Sequence, residues 1–310
     1  MKMEATKERK ITHPIFARHE TFHPRFGWLK KGFDKSSDNP FVFSDESAPA
    51  ILGVGKNMVK AIRYWCLAYK ILQEDTNQKG AILVTHFGEQ LFGGEGWDPY
   101  LEDTASLWLL HWNLLKVPCH ATAWYYAFNI FNRHLFTSAD LLDGLSEYKE
   151  RTFPMSKIAI SSLASDANCL IRMYATQGDR EGFREDSIDS PFCELRLLKT
   201  YSDGKQHVIN SGPKAGLSPE IIVAACLEFA GAFMAGARTI SVSRLLYDEG
   251  SPGLCFKIRE SELCDAIEGI SSRSRGIALS ETAGLMQMSY DGDPFQLAIN
   301  ILAGYYHKRG

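Results

Sequence analysis

The strongest hydrophobic pattern in the chain lies between residues 58 and 69. Apolar side chains recur there at the three- and four-residue spacing that places them on one face of an α-helix. These residues are Met58, Val59, Ile62, Trp65, Cys66 and Tyr69. The opposite face carries Lys56, Asn57, Lys60, Arg63 and Tyr64. The pattern predicts an amphipathic helix with a basic outer face, opened by a tight turn at Gly53-Val54-Gly55.

The segments around this helix indicate a DNA-binding module. Residues 47–52 precede the turn and are predicted to form a short first helix, while residues 81–84 form an apolar strand after Lys79-Gly80. Thr85 is a predicted cap for another helix. Helix, turn, helix and strand is the order of a winged-helix module.

In such a module the basic face of the second helix contacts phosphates and base edges. The residues predicted to bind DNA are Lys56, Asn57, Lys60 and Arg63. The alternative is that this face is simply solvated.

Further elements follow the same kind of pattern. Helices are predicted at residues 100–115, 122–135, 161–174, 218–235 and 261–269, strands at 253–258 and 277–290, and polar loops at 35–39 and 177–189. The middle helices are rich in aromatic residues such as Trp108 and Trp124. Their helical spacing indicates that they pack in the core rather than stack on single-stranded bases.

These elements predict an α+β fold that is mostly helical, with winged-helix modules packed into a multi-lobed body. The predicted regions are an N-terminal winged-helix-like DNA-binding region (1–98), a helical middle region (99–214) and a C-terminal winged-helix-like region (215–310). The last assignment follows from the order helix–strand–helix–strand, because no sequence repeat is strong enough to establish it.

Charge is unevenly distributed along the 310 residues. The net charge is only −3, but residues 1–70 contain 13 Lys and Arg against 7 Asp and Glu. A basic N-terminal lobe on an acidic body favours local DNA contact rather than general coating of nucleic acid. Seven scattered cysteines without a Cys-x-x-Cys pair, and no apolar run of membrane-spanning length, indicate a cytoplasmic protein with reduced thiols and no membrane association.

Several familiar motifs are absent or accidental. Gly55-Lys56 is followed by Asn57 and lacks the earlier glycine of a phosphate-binding loop, so a nucleotide is not predicted. His19-Glu20-Thr21-Phe22-His23 matches the zinc-protease signature, but Pro24 interrupts the helix that it requires and no third ligand follows. Zinc is therefore not predicted. Acyl-transfer and dinucleotide-binding motifs are also missing.

Phosphodiester hydrolysis usually requires carboxylates that hold one or two divalent cations. The candidate cluster is Glu185, Asp186 and Asp189, predicted both to bind metal and to act in catalysis. Arg172, Arg180 and Arg184 are placed either to contact phosphate or to pair with these acids. The alternative is a solvated acidic loop in which Asp189-Ser190-Pro191 caps the next helix.

Segments along nearly the whole chain resemble the SspB-type family of bacterial DNA nickases, whose domain is catalogued as one of unknown function. The matching segments are residues 19–22 with Arg25, residues 28–32, 52–59, 62–65 and 107–112, Glu185-Asp186-Ser187 with Ser190-Pro191, and Ser251-Pro252-Gly253. The core Gly53-Val54-Gly55-Lys56-Asn57-Met58-Val59 is the most specific of them. His23-Pro24 departs from the family pattern.

The resemblance implies a role in single-strand DNA phosphorothioation and phage defence, in which a backbone oxygen is replaced by sulfur. It also implies nicking of one DNA strand, alongside a cysteine desulfurase and an ATPase. The residues and the resemblance together predict a protein that binds double-stranded DNA and nicks it with Mg²⁺ or Mn²⁺. The alternative is a non-catalytic DNA-binding adaptor or regulator of the sulfur-modification machinery.

Overall fold

The computed structural model describes Ile11 and residues 13–176, 190–234, 236–274 and 276–308. Within this part of the chain, thirteen α-helices are combined with nine short β-strands. The fold is therefore α+β and mostly helical, as the sequence predicts. None of the helices described is long and apolar enough to cross a membrane.

The first unit comprises residues 28–84. Its elements are α1 (Trp28–Asp38), α2 (Ala48–Leu52), α3 (Lys56–Ala68), β1 (Leu72–Glu74) and β2 (Ile82–Val84). Gly53 adopts a φ of 63° between α2 and α3, a left-handed conformation that glycine tolerates without strain. β1 and β2 pair antiparallel, and the amide of Ile82 donates to the carbonyl of Pro40 at 2.8 Å.

Two helices connect this unit to the next, α4 (His86–Phe92) and α5 (Thr104–Leu115). Thr85 caps α4 by accepting from the amide of Gly88 at 2.9 Å, as predicted. A Cβ at residue 88 would lie 2.3 Å from the carbonyl oxygen of Ile71, so only glycine permits this close approach.

The second unit comprises residues 122–209. It contains α6 (Thr122–Asn129), β3 (Leu135–Thr137), α7 (Ser138–Thr152), α8 (Ile160–Tyr174), β4 (Ala175–Thr176), β5 (Leu198–Thr200) and β6 (Gln206–Ile209). The sheet order is β3-β6-β5-β4, with β6 antiparallel to both of its neighbours and β4 parallel to β5. The sequence pattern predicts a helical region here and does not predict this sheet.

The third unit comprises residues 219–290. It contains α9 (Pro219–Phe233), β7 (Thr239–Ser241), α10 (Val242–Tyr247), α11 (Pro252–Phe256), α12 (Glu260–Ser271), β8 (Ile277–Thr282) and β9 (Leu285–Tyr290). The sheet order is β7-β9-β8, and all pairs are antiparallel. After it, α13 (Pro294–Tyr306) packs against α9.

The same succession of elements recurs in the three units. Each unit begins with a helix and ends with an antiparallel strand pair, and further helices lie between them. In the second and third units a first strand follows the opening helix, and the last strand of the unit pairs with it. In the first unit the backbone at Pro40 takes the place of that first strand. In the second and third units the first strand ends on the cap of the next helix, Thr137 or Ser241. Two apolar residues follow each cap four and five positions later. This repeat is too short to be recognised from the sequence, because the surrounding residues differ.

The three units share one cluster of buried residues that extends from Ile11 to Tyr306. The buried His111 bonds to the second and third units: Tyr174 donates to its Nδ1 at 2.7 Å, and its Nε2 donates to the carbonyl of Cys255 at 3.0 Å. Burial lowers the pKa of His111 to about 4, so the ring is neutral at neutral pH. Trp108 and Trp124 are fully buried, which confirms that the aromatic helices form core.

Three predictions of local structure are wrong, and one helix is not predicted. Residues 253–258 do not form a strand: residues 253–256 belong to α11, which ends at Phe256, because Ser251 and Pro252 are a strong helix start. Residues 35–38 are the last turn of α1 rather than a loop. Asn129 ends α6, so residues 130–135 are not helical. The C-terminal helix α13 is the one not predicted, although Asp293 caps it by accepting from the amide of Gln296 and Pro294 is its first residue. The predicted region boundaries remain a prediction.

Candidate nucleic-acid interface

The outer face of α3 exposes most of the residues predicted to bind DNA. Lys56, Asn57 and Lys60 are exposed, and Arg63 is half-buried at the edge of the same face. Tyr64, which the pattern places on the outer face, is instead buried and donates to the carbonyl of His120 at 3.2 Å. A tyrosine between the two faces of a helix buries its ring whenever a neighbouring segment covers it.

Two of these cations are already paired with carboxylates. The ammonium of Lys60 lies 3.1 Å from Glu20, and the guanidinium of Arg63 lies 2.6 Å from Glu74. Both pairs are partly exposed to solvent, so each contributes little to stability. No local pattern predicts these pairs, because Glu20 is distant in sequence and Glu74 follows only after the helix has ended.

A cleft with a volume of about 820 Å³ borders this face. Its cations are Arg18, Lys60, Arg63 and Lys70, and its acids are Glu20 and Glu74. Apolar side chains such as those of Phe43 and Leu67 also line it. An anionic ligand thus meets an excess of positive charge and an apolar surface in one depression.

Lys70 has a structural role at the cleft. It adopts a φ of 60° just after α3, and its ammonium donates to the carbonyls of Asn113 and, at 3.0 Å, Lys116. These carbonyls lie at the C-terminal end of α5, where no backbone amide of a following helical turn is present to bond to them. Burial lowers the pKa of Lys70 to about 7, whereas its bonds to carbonyls favour the charged form.

The His-Glu-x-x-His segment is not a helix. Glu20 and Thr21 have φ values of 49° and 69°, which places them in a turn. His19 is buried and its Nε2 lies 2.6 Å from the carboxylate of Asp166, while Nδ1 of His23 faces its neighbour's carbonyl at 3.1 Å. The two histidines therefore lack the one-turn helical spacing of a zinc protease. The absence of zinc itself remains a prediction.

Glu185, Asp186 and Asp189 lie outside the described residues. Ser190, the first described residue after them, caps a short 3₁₀ helix at Pro191–Leu195 by accepting from the amide of Phe192 at 3.3 Å. Over the described ranges, no group of three or more His, Cys, Asp or Glu side chains is arranged to hold a metal ion. The acidic metal site therefore remains a prediction.

The relationship to known proteins covers almost the whole chain. Residues 16–306 match the family described as "protein of unknown function (DUF4007)". The chain belongs to this family. Among curated proteins there is no match.

Solved structures of one protein, SspB, share this fold. A structure of magnesium ion-bound SspB is 36% identical, with a TM-score of 0.89, over 97% of this chain and 90% of that chain. A second SspB crystal structure is also 36% identical, with a TM-score of 0.90, over 96% of this chain and 90% of that one. The suspected SspB-type relationship is confirmed.

Proposed function

We propose that this member of the DUF4007 family binds double-stranded DNA and nicks it within a bacterial DNA phosphorothioation and phage-defence system. Its similarity to SspB over 97% of the chain supports the assignment to that system. In this role it acts in the cytoplasm with a cysteine desulfurase and an ATPase, the partners implied by the family resemblance.

The observation that carries DNA binding is the outer face of α3. The first unit has the helix–turn–helix–hairpin order of a winged-helix module, in which the helix before the hairpin enters the major groove. Here that helix exposes Lys56, Asn57 and Lys60 beside the cleft. Lysine and arginine neutralise phosphates, whereas asparagine pairs with adenine edges. We assign the first unit as the winged-helix module that holds the duplex.

The similar structure of magnesium ion-bound SspB supports a divalent cation as the cofactor. In this chain Glu185, Asp186 and Asp189 would hold it, because carboxylate oxygens are the ligands that Mg²⁺ and Mn²⁺ prefer. A bound cation supplies charge that stabilises phosphate and orients the attacking water. The described residues provide no alternative carboxylate cluster, and their share of the reaction is to hold and orient the duplex.

The exposed cations of α3 are equally consistent with a second candidate function, that of a non-catalytic DNA-binding adaptor or regulator. An adaptor needs only this basic face and no bound metal. The two functions differ in whether purified protein converts supercoiled plasmid to open circles.

The double variant Lys60→Glu/Arg63→Glu tests the proposal. Wild-type affinity for a duplex should fall steeply with salt because phosphate contact releases counterions. The double variant should bind weakly to every sequence while retaining its circular dichroism spectrum and melting temperature. Unchanged affinity in a gel-shift titration would remove α3 from the DNA surface.

Catalysis is tested separately with supercoiled plasmid and Mg²⁺ or Mn²⁺, with EDTA as the metal-free control. Open-circle product that requires the cation supports the nickase. DNA binding without any such product supports the adaptor.

A further inference from the structure

The recurring succession of elements gives each unit a helix at a corresponding position, the last α-helix described before its antiparallel strand pair. These helices are α3 in the first unit, α8 in the second and α12 in the third. Because the three helices occupy corresponding positions in the fold, only their exposed side chains can indicate which of them contacts DNA.

The three helices differ in the charge that they expose. α3 exposes Lys56, Asn57 and Lys60, α8 exposes Ile160, Ser161, Asn168 and Arg172, and α12 exposes Glu260, Ser261, Asp265 and Glu268. Every residue of α8 is described, and its only carboxylate, Asp166, is buried. The exposed faces of α3 and α8 can lie against DNA, whereas the acidic face of α12 repels phosphate.

A single turn joins the outer sides of α3 and α8. Glu20 accepts from the ammonium of Lys60 at 3.1 Å, and the carbonyl of the next residue, Thr21, accepts from the guanidinium of Arg172 at 2.7 Å. Lys60 and Arg172 thus lie on either side of two consecutive residues, and both bonds are at the surface. The exposed faces of the two helices are continuous.

Buried contacts also hold this turn against both helices. His19 lies 2.6 Å from Asp166 of α8, and its ring stacks on Trp65 of α3 with the ring centroids 6.1 Å apart. The indole nitrogen of Trp65 donates to the carbonyl of Phe22 at 2.9 Å. Buried contacts to both helices fix their relative position, which a surface that fits one rigid ligand requires.

We propose that α8 is a second DNA-contacting helix, which binds the same duplex as α3 through Ser161, Asn168 and Arg172. Serine and asparagine donate to phosphates or base edges, and arginine contacts phosphate. The acidic α12 of the third unit stays off the DNA. This inference rests on the proposed binding of DNA by α3 and extends that surface across the turn at residues 19–22.

Matched substitutions test the inference. Ser161 and Ser261 are both exposed and both occupy the second position of their helices. Aspartate at such a position is favourable for the helix, because it complements the helix dipole, so both variants should fold. Ser161→Asp should lower duplex affinity roughly fivefold, as expected for a new charge beside a phosphate. Ser261→Asp should leave it unchanged.

Asn168→Asp provides a second, nearly isosteric change on α8 and should weaken binding in the same way. All variants are measured by fluorescence anisotropy with one duplex, together with Lys60→Glu/Arg63→Glu. The penalties of the α8 variants should shrink as salt is raised, because screening weakens charge repulsion.

The possible failures are distinguishable. If the wild-type protein or the α3 double variant shows that α3 does not bind DNA, the proposed function and this inference both fall. If α3 is required but Ser161→Asp and Asn168→Asp bind as the wild type does, only the inference about α8 is wrong. An equal loss in Ser161→Asp and Ser261→Asp would refute the distinction between α8 and α12.

Discussion

The ion pairs on α3 lead to a prediction about affinity. Lys60 and Arg63 cannot form full contacts with phosphates while they are bound to Glu20 and Glu74, at 3.1 Å and 2.6 Å. DNA binding must therefore weaken these pairs and leave two carboxylates near the phosphate backbone. Neutralising the carboxylates in Glu20→Gln/Glu74→Gln should increase affinity for the duplex.

The size of the gain follows from the exposure of the pairs. In each pair both side chains are between about one third and two thirds exposed. Exposed ion pairs contribute about 0.2–1 kcal/mol each, so two of them oppose binding by roughly 0.4–2 kcal/mol. This range corresponds to an increase in affinity of about 2- to 30-fold. Removing repulsion between carboxylate and phosphate acts in the same direction.

Anisotropy titrations with a short duplex at about 50 mM and about 200 mM salt would measure the gain, which should shrink at the higher salt concentration. Glu268→Gln on α12 is the control, because it removes the same charge from an exposed position outside the proposed DNA surface. Equal or weaker binding by Glu20→Gln/Glu74→Gln, at an unchanged melting temperature, would refute the assignment of Lys60 and Arg63 as DNA contacts.

Three further predictions concern metal, catalysis and pH. His23→Ala should retain nicking, and elemental analysis of the wild-type protein should find no stoichiometric zinc; one zinc per chain that disappears in the variant would contradict this. Asp186→Asn should abolish plasmid nicking at saturating DNA without loss of affinity, since asparagine keeps the shape but not the charge that binds a hard cation. His111 has a pKa of about 4 in the folded protein, below its ordinary value of about 6.5, so the unfolded chain takes up the proton first. The stability that neutral His111 contributes is therefore complete above about pH 6.5, and roughly 3 kcal/mol of the free energy of unfolding should be lost as the pH falls to about 4. Urea unfolding of the wild type and of His111→Gln at several pH values would measure this loss.

The sequence predicts those elements that a local pattern determines. The amphipathic stripe and the glycine turn locate α3 correctly, Thr85 forms the cap expected of it, and residues 277–290 form a strand pair. Each of these features depends on residues within a few positions of one another. Such short-range patterns are sufficient for helices and hairpins.

The sequence does not predict what depends on distant contacts. Strands of two to four residues in the second unit are too short for a recognisable alternation, so the sheet there becomes visible only in its pairing. The bonds of Glu20 to Lys60 and of Thr21 to Arg172 join positions 40 and 151 residues apart. No periodicity marks such contacts in a single sequence.

The segment that most resembles a catalytic motif illustrates this difference. Taken as His-Glu-x-x-His it suggests zinc, but Glu20 and Thr21 are left-handed and their neighbours bind two separate helices. Backbone strain of this kind costs about 1–3 kcal/mol for each residue and persists only where surrounding contacts enforce it. Here the enforcing contacts are the buried His19–Asp166 pair and the bond from Trp65 to Phe22. The strain is thus balanced by contacts that position α3 against α8, which is why the proposed DNA surface should depend on this turn.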